Sequence, residues 1–156
     1  MLKYFKNFKK YAFRLELLQR YDVEDEKESF LKFIDSGKVL NINSDWYKLI
    51  KESIKRNVVI QRVHVVKLPL SDYIKFEVGI YKKNIKAGEE VSLIDLDQFN
   101  KLNLGINFDF WLFDDEIVLK MNYDKNGKFL NFEEIHENID KFVNIKNILL
   151  SQSKLL

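Results

Sequence analysis

The stretch VVIQRVHVVKL, Val58–Leu68, decides how the rest of the chain is read. β-branched residues dominate it, and a β-branched side chain packs well on a pleated surface but crowds a helix. Strand geometry sends successive side chains to opposite faces. Val59, Gln61, Val63 and Val65 therefore share one face, and Ile60, Arg62, His64 and Val66 share the other. Arg62 and His64 become neighbours on one side of a sheet. Pro69 closes the strand, because proline has no N–H to give to a ladder.

Working toward the N-terminus, NSDWYKLIKESIKR from Asn43 reads as a helix capped by Ser44, with Trp46, Leu49, Ile50 and Ile54 turned inward. Before it, the acidic run DVEDEKE suits a helix start, since carboxylates favour the positive end of the helix dipole. Phe30, Phe33 and Ile34 continue that helix, and Gly37 is placed to end it. Residues 3–20 also show a helical period in Phe5, Phe8, Ala12, Leu15 and Leu18. That segment carries six basic side chains against one acidic, Glu16. Its basic face reads first as a solvated helix surface, and second as a contact for nucleic acid, an acidic partner or a membrane interface.

Working toward the C-terminus, Ser71 is placed to cap a helix running through Tyr73, Phe76, Glu77 and Ile80, although YIKFEVGIY also has the composition of a strand. A turn follows at Gly88, and a second strand begins at Val91. FDFWLFDD and EIVLKMNYD read as a hairpin around Asp114 and Asp115. DKNG makes another turn with Gly127 at positive φ. KFLNF is a short third arm. Asn131 and Glu134 have the spacing of a capping box for a terminal helix through Ile135, Ile139, Phe142, Val143 and Ile148. The tail SQSKLL is expected to fray.

These readings give an α+β fold. The expectation is a single domain over residues 1–156: a helical N-terminal third, a small mixed or antiparallel sheet of three to five strands, and a C-terminal helix. A length of 156 residues with 46% hydrophobic side chains suffices for a core without disulfides or metals. Cysteine is absent, which excludes cysteine catalysis and thiolate metal sites. The basic N-terminus leads into no unbroken apolar run, so no secretory signal is expected. No apolar run of spanning length occurs, so no membrane span is expected and a cytoplasmic location is. With 26 basic and 24 acidic side chains the charge is nearly balanced, which disfavours a dedicated nucleic-acid binder.

Phosphate-cradling, dinucleotide-binding, zinc-protease and nucleophile-elbow motifs are all missing. No catalytic residue, metal site or cofactor is assigned. A phospholipase-like HxK pair is one residue too long here, at His64-Val65-Val66-Lys67, which puts the two side chains on opposite faces of a strand. What remains is a dispersed set: Arg14, Arg62, His64, Glu77, Asp109 and Asp114. These could line a pocket for a small anionic ligand, since arginine offers five directed donors. They equally suit buried ion pairs that seat the N-terminal segment on the sheet, with Arg62–Glu77 and Arg14 with a hairpin aspartate as complements. On a helix, Arg14 and Glu16, two apart, would not face each other.

Several features together resemble an uncharacterised bacterial family, mainly actinobacterial, of small proteins often encoded near helix-turn-helix regulators. They are Arg14-Leu15-Glu16, Tyr21, Phe30, Trp46, Arg62–Val66, Pro69–Tyr73, Glu77, Gly88-Glu89, Asp109–Asp115, Tyr123 and Gly127, spread over residues 5–145. The C-terminal half is also similar, distantly, to phospholipase-D-type domains that have lost catalytic residues and act as sensor or effector modules. The resemblance implies a non-catalytic regulatory or protein-interaction domain, with a helix-turn-helix regulator as the kind of protein partner. Two alternatives stand beside it: a small phosphoesterase- or nuclease-like enzyme or toxin using the dispersed set, and direct nucleic-acid binding through the basic N-terminal segment, which is not favoured.

Overall fold

The computed structural model describes residues 1–40 and 44–156. Asn43, the first residue of the segment read as the third helix, lies outside them. Among the described residues the elements run α1 (Leu2–Asn7), β1 (Tyr11–Glu16), a 3-10 turn (Glu24–Glu26), α2 (Lys27–Ser36), α3 (Asp45–Ile54), β2 (Val59–Val66), α4 (Asp72–Ala87), β3 (Glu89–Asp95), α5 (Leu96–Lys101), β4 (Phe110–Phe113), β5 (Ile117–Tyr123), β6 (Phe129–Ile135), α6 (Ile139–Gln152) and β7 (Lys154–Leu155). The strands form one seven-stranded mixed sheet in the order β6-β5-β4-β1-β2-β3-β7. β1, β2 and β3 are parallel, and the other pairings are antiparallel. The expectation of a helical N-terminal third and a three- to five-stranded sheet is therefore wrong: helices are interspersed among the strands, and the sheet is larger.

The error begins at β1. A central strand buried on both faces lacks a clean alternation, so its apolar residues also fit a helical stripe. Phe13 and Leu15 point into one core, with Val63, Val65, Phe110, Phe142 and Leu149. Ala12 joins the opposite core, with Phe5, Phe8, Ile50, Ile60 and Trp111. The predicted continuous basic helix face does not exist. Lys3 and Lys6 ride on the short α1, and Arg14 is buried in the sheet.

The second correction lies at the C-terminus. Asn131 and Glu134 do not cap a helix, because residues 129–135 pair with β5. The helix starts at Ile139, after Asn138 at φ +54. Nor does the tail fray: Lys154 and Leu155 pair with Leu93 and Ser92 on the edge of β3.

The other local readings hold. Ser44 accepts from the Tyr47 N–H and Ser71 from the Ile74 N–H, so both cap helices. Residues 72–87 are helix, and Gly37 and Gly88 end α2 and α4 in the left-handed conformation. Gly127, at φ +84, needs its missing side chain twice over. A Cβ there would sit 2.5 Å from the Arg20 carbonyl oxygen.

One face of the sheet is covered by α5 and α6, the other by α1, α2, α3 and α4. On the second face the apolar packing splits into two clusters, one around Ile60 and one around Val66, Tyr73 and Phe76. Arg62 and His64 lie between Ile60 and Val66 along β2. The polar layer of the molecule sits in that gap.

Candidate functional site

Strand register assembles the layer. Arg14 is the Cα partner of Arg62, and Glu16 of His64, so two adjacent parallel strands present four polar side chains to one face. Arg14 and Glu16, two apart on a strand rather than a helix, do face each other, with Arg14 Nε 3.4 Å from Glu16 Oε1. Asp109, immediately before β4, joins from the far side of β1. Glu89 opens β3, and α4 lays Glu77 and Tyr81 over the top.

The network is dense. Arg62 donates to Glu16 at 2.6 Å and to Glu89 at 2.8 Å. Trp46 Nε1 donates to the second oxygen of Glu89 at 3.1 Å. Arg14 Nη2 donates to Asp109 at 3.1 Å and to the Tyr123 hydroxyl at 2.6 Å. Asp109 also accepts from the Tyr21 hydroxyl at 2.5 Å and from the Leu17 N–H at 2.9 Å. Tyr81 donates to Glu16 at 2.8 Å.

Burial and pairing set the charges. Burial opposes ionisation of Glu16, but Arg62 and Arg14 outweigh it and hold its carboxyl well below the usual range. Burial also opposes the charge on both arginines. Tyr123, Asp109 and Glu16 restore that of Arg14, and Glu16 and Glu89 that of Arg62. Asp109 is pushed up by burial against the pull of Arg14. The Tyr21 hydroxyl and the Leu17 N–H, which both donate to it, add to that pull toward the ionised form.

His64 is fully buried. Its Nε2 lies 2.8 Å from the Leu18 carbonyl oxygen and its Nδ1 2.8 Å from the Tyr81 hydroxyl. The carbonyl can only accept, so Nε2 carries a proton. Tyr81 has one proton and two acceptors within reach, Nδ1 and Glu16. A doubly protonated imidazole would satisfy both contacts. Burial disfavours that form more than Glu16 favours it, so the pKa of His64 is lowered. At neutral pH the ring is neutral, and the Tyr81 hydroxyl that donates to Glu16 also lies against its Nδ1.

Next to this layer lies a cleft of about 430 Å³, lined by Arg14, Glu16, Tyr21, Tyr73, Glu77 and Tyr123 among others. Arg14 and Glu77, 4% and 7% exposed, form its floor. Two polar atoms there have no protein partner, Arg14 Nη1 and Glu77 Oε1. Glu77 is pushed up to about 8, first by burial and then by the neighbouring carboxyls of Glu26 and Glu16. Glu26, at the side of the cleft, is raised by burial and by Glu16.

Of the six residues singled out by sequence, Arg14, Arg62, His64, Glu77 and Asp109 converge on this face. Asp114 does not. Its carboxylate accepts the N–H groups of Lys9, Lys10 and Tyr11 at 2.7, 2.8 and 3.0 Å, and so anchors the entrance to β1. The Arg14–hairpin-aspartate pair expected from sequence is present, with Asp109. Arg62 pairs with Glu16 and Glu89 rather than with Glu77. Sequence reasoning missed Tyr81, four residues after Glu77 and so on the same face of α4, and it left Glu16, Tyr21, Glu26, Glu89 and Tyr123 outside the site. Among the described residues, no group of three or more His, Asp or Glu is arranged to hold a metal ion. Nor, among them, is any helix long and apolar enough to cross a membrane.

The fold is similar to that of Nuc from Salmonella typhimurium, a phospholipase D family member. The TM-score is 0.57 at 12% identity, over 99% of this chain and 87% of that one. The likeness thus extends beyond the C-terminal half to nearly the whole chain, and at this identity it concerns the fold alone. No curated protein matches the chain. A family model does match, over residues 1–154, and by that match the chain belongs to the family described as Domain of unknown function (DUF6879).

Proposed function

We propose that this protein is a non-catalytic, ligand-binding regulatory domain on a phospholipase-D-like fold. The observation that carries the reading is the pairing of a sequestered histidine with an unsatisfied cleft. Phosphoester chemistry that proceeds by side-chain attack needs a nucleophile that can reach the substrate. His64 is out of reach, with both ring nitrogens engaged inside the protein. Glu16, Glu89 and Asp109 are held by arginines and hydroxyls. By contrast, Arg14 and Glu77 at the cleft floor retain free bonding capacity, which favours binding over turnover.

The resemblance to proteins encoded beside helix-turn-helix regulators supports a protein partner of that type and a cytoplasmic setting. Direct nucleic-acid binding loses its main support, because the basic N-terminal helix it needed is divided between a short helix and a buried strand.

The test is phosphodiester hydrolysis. Wild type and His64→Asn, each incubated with bis(4-nitrophenyl) phosphate, are expected to release no 4-nitrophenolate above buffer. Release by wild type that is lost in His64→Asn would replace this reading with the phosphoesterase one.

A further inference from the structure

The two unpartnered atoms on the cleft floor differ in kind. Arg14 Nη1 is a donor of a permanently charged group, and Glu77 Oε1 belongs to a carboxyl. A buried polar atom without a partner costs free energy until something bonds to it. One arginine alone would suit a simple anion. The surroundings do not: Glu16, Asp22, Glu24, Glu26 and Glu77 line the same cleft, against Arg14 and Lys128. An anion entering there meets repulsion on most sides. A simple cation would leave Arg14 unmatched. A molecule carrying both charges complements both features, and Tyr21, Tyr73 and Tyr123 supply aromatic walls for its carbon skeleton.

We infer, resting on the ligand-binding reading above, that the cleft takes a small zwitterion of the amino-acid class. Its carboxylate lies on Arg14 Nη1 and its ammonium on Glu77, with Glu26 beside it. The raised pKa of Glu77 fits this arrangement: burial first, then the carboxyls of Glu26 and Glu16, push it up against the pull of Arg62 and the Tyr73 hydroxyl. A proton held in the empty cleft is then displaced by the incoming ammonium, so binding releases a proton near neutral pH.

The test uses the full chain, ¹⁵N-labelled, and titrates glycine, β-alanine and γ-aminobutyrate as probes of charge spacing. Acetate and methylamine serve as controls with one charge each. At least one zwitterion should shift the amides of residues 14–26, 73–77 and 121–129 in a saturable way. Acetate and methylamine should bind at least about tenfold more weakly. Glu77→Gln keeps the shape of the protonated side chain and is expected to fold, yet it should weaken the bound zwitterion by a similar factor. The inference is overturned if no zwitterion binds, if either control binds equally well, or if Glu77→Gln binds as wild type does. Each of these outcomes leaves the non-catalytic reading standing. That reading falls only with His64-dependent phosphodiester turnover.

Discussion

Arg14 and Asp109, 95 residues apart in the chain, meet through Nη2 and Oδ2 at 3.1 Å with almost no exposure of either side chain. The pair ties β1 to the start of β4, and Asp109 extends the tie to Tyr21 and to the Leu17 backbone. Removing one member of a buried pair leaves the other charge uncompensated, whereas removing both need not destabilise. Asp109→Ala should therefore cost about 3–5 kcal/mol. In urea this appears as a lower midpoint with an unchanged slope. The double variant Arg14→Met with Asp109→Leu should recover part of the loss. If Asp109→Ala unfolds at the wild-type midpoint, the pair contributes nothing.

Glu77 gives stability a pH dependence of unusual sign. Its folded pKa of about 8 lies above its ordinary value of 4.5. Between those pH values the native state binds a proton that the unfolded chain has released, so stability falls as pH rises through the window. Glu16 and His64 act in the opposite sense. The lowered carboxyl of Glu16 favours the fold above its ordinary range and loses that contribution as pH falls, and neutral, buried His64 loses its contribution as pH drops below about 6.5. Glu77→Gln should remove the fall in stability between pH 4.5 and about 8 and stabilise the protein at pH 8 by on the order of a few kcal/mol. Denaturation curves collected across pH for both proteins check this. Parallel limbs would place the Glu77 proton elsewhere.

The His64 ring offers a spectroscopic check of the buried layer. Nε2 faces a carbonyl and must carry hydrogen, while Nδ1 faces the hydroxyl of Tyr81. Long-range ¹H–¹⁵N spectra at pH 7 should show a neutral Nε2–H tautomer with a hydrogen-bonded Nδ1. Tyr81→Phe removes the hydroxyl that both Nδ1 and Glu16 use, and it should move the Nδ1 resonance toward that of a free acceptor. A doubly protonated ring at pH 7 would mean that Glu16 outweighs burial.

The parts of this site legible from sequence are those where local chemistry and tertiary context agree. β2 is dense in β-branched residues and its alternation holds, so Arg62 and His64 fall on one face as read. Ser44, Ser71, Gly37, Gly88 and Gly127 act through one or two neighbouring residues, and they too read correctly. β1 fails because it is central: Ala12, Phe13 and Leu15 are all fully buried, on opposite faces, and no period-2 signal survives. Taking it for a helix also hid the Arg14–Glu16 contact, since two residues apart means opposite directions on a helix and one face on a strand. Residues 131–134 fail because pairing with β5 overrides a capping-box pattern that is weak by itself. Tyr81 was accessible, four residues from Glu77 on a correctly read helix. Glu26 was not: its acidic run suits a helix start whether or not one carboxyl turns into a cleft.

Asp114 separates scaffold from site, because it looks functional in sequence and acts on the backbone. It sits at φ +53 beside Asp115 at φ +59, in the tight turn between β4 and β5. From there its carboxylate collects three consecutive N–H groups, those of Lys9, Lys10 and Tyr11. Asp114→Gly relieves the left-handed backbone but removes the acceptor, and Asp114→Asn keeps one acceptor oxygen and the tolerance for positive φ. If the anchor matters more than the turn, Asp114→Gly should lose about 1–3 kcal/mol despite its easier backbone, and Asp114→Asn less. Amide exchange should quicken first at Lys9, Lys10 and Tyr11, since these lose their partner directly. Zwitterion titration of Asp114→Asn should match wild type, because Asp114 lies outside the lining of the Arg14–Glu77 cleft. A glycine variant more stable than wild type would show instead that strain at this turn outweighs the three bonds it makes.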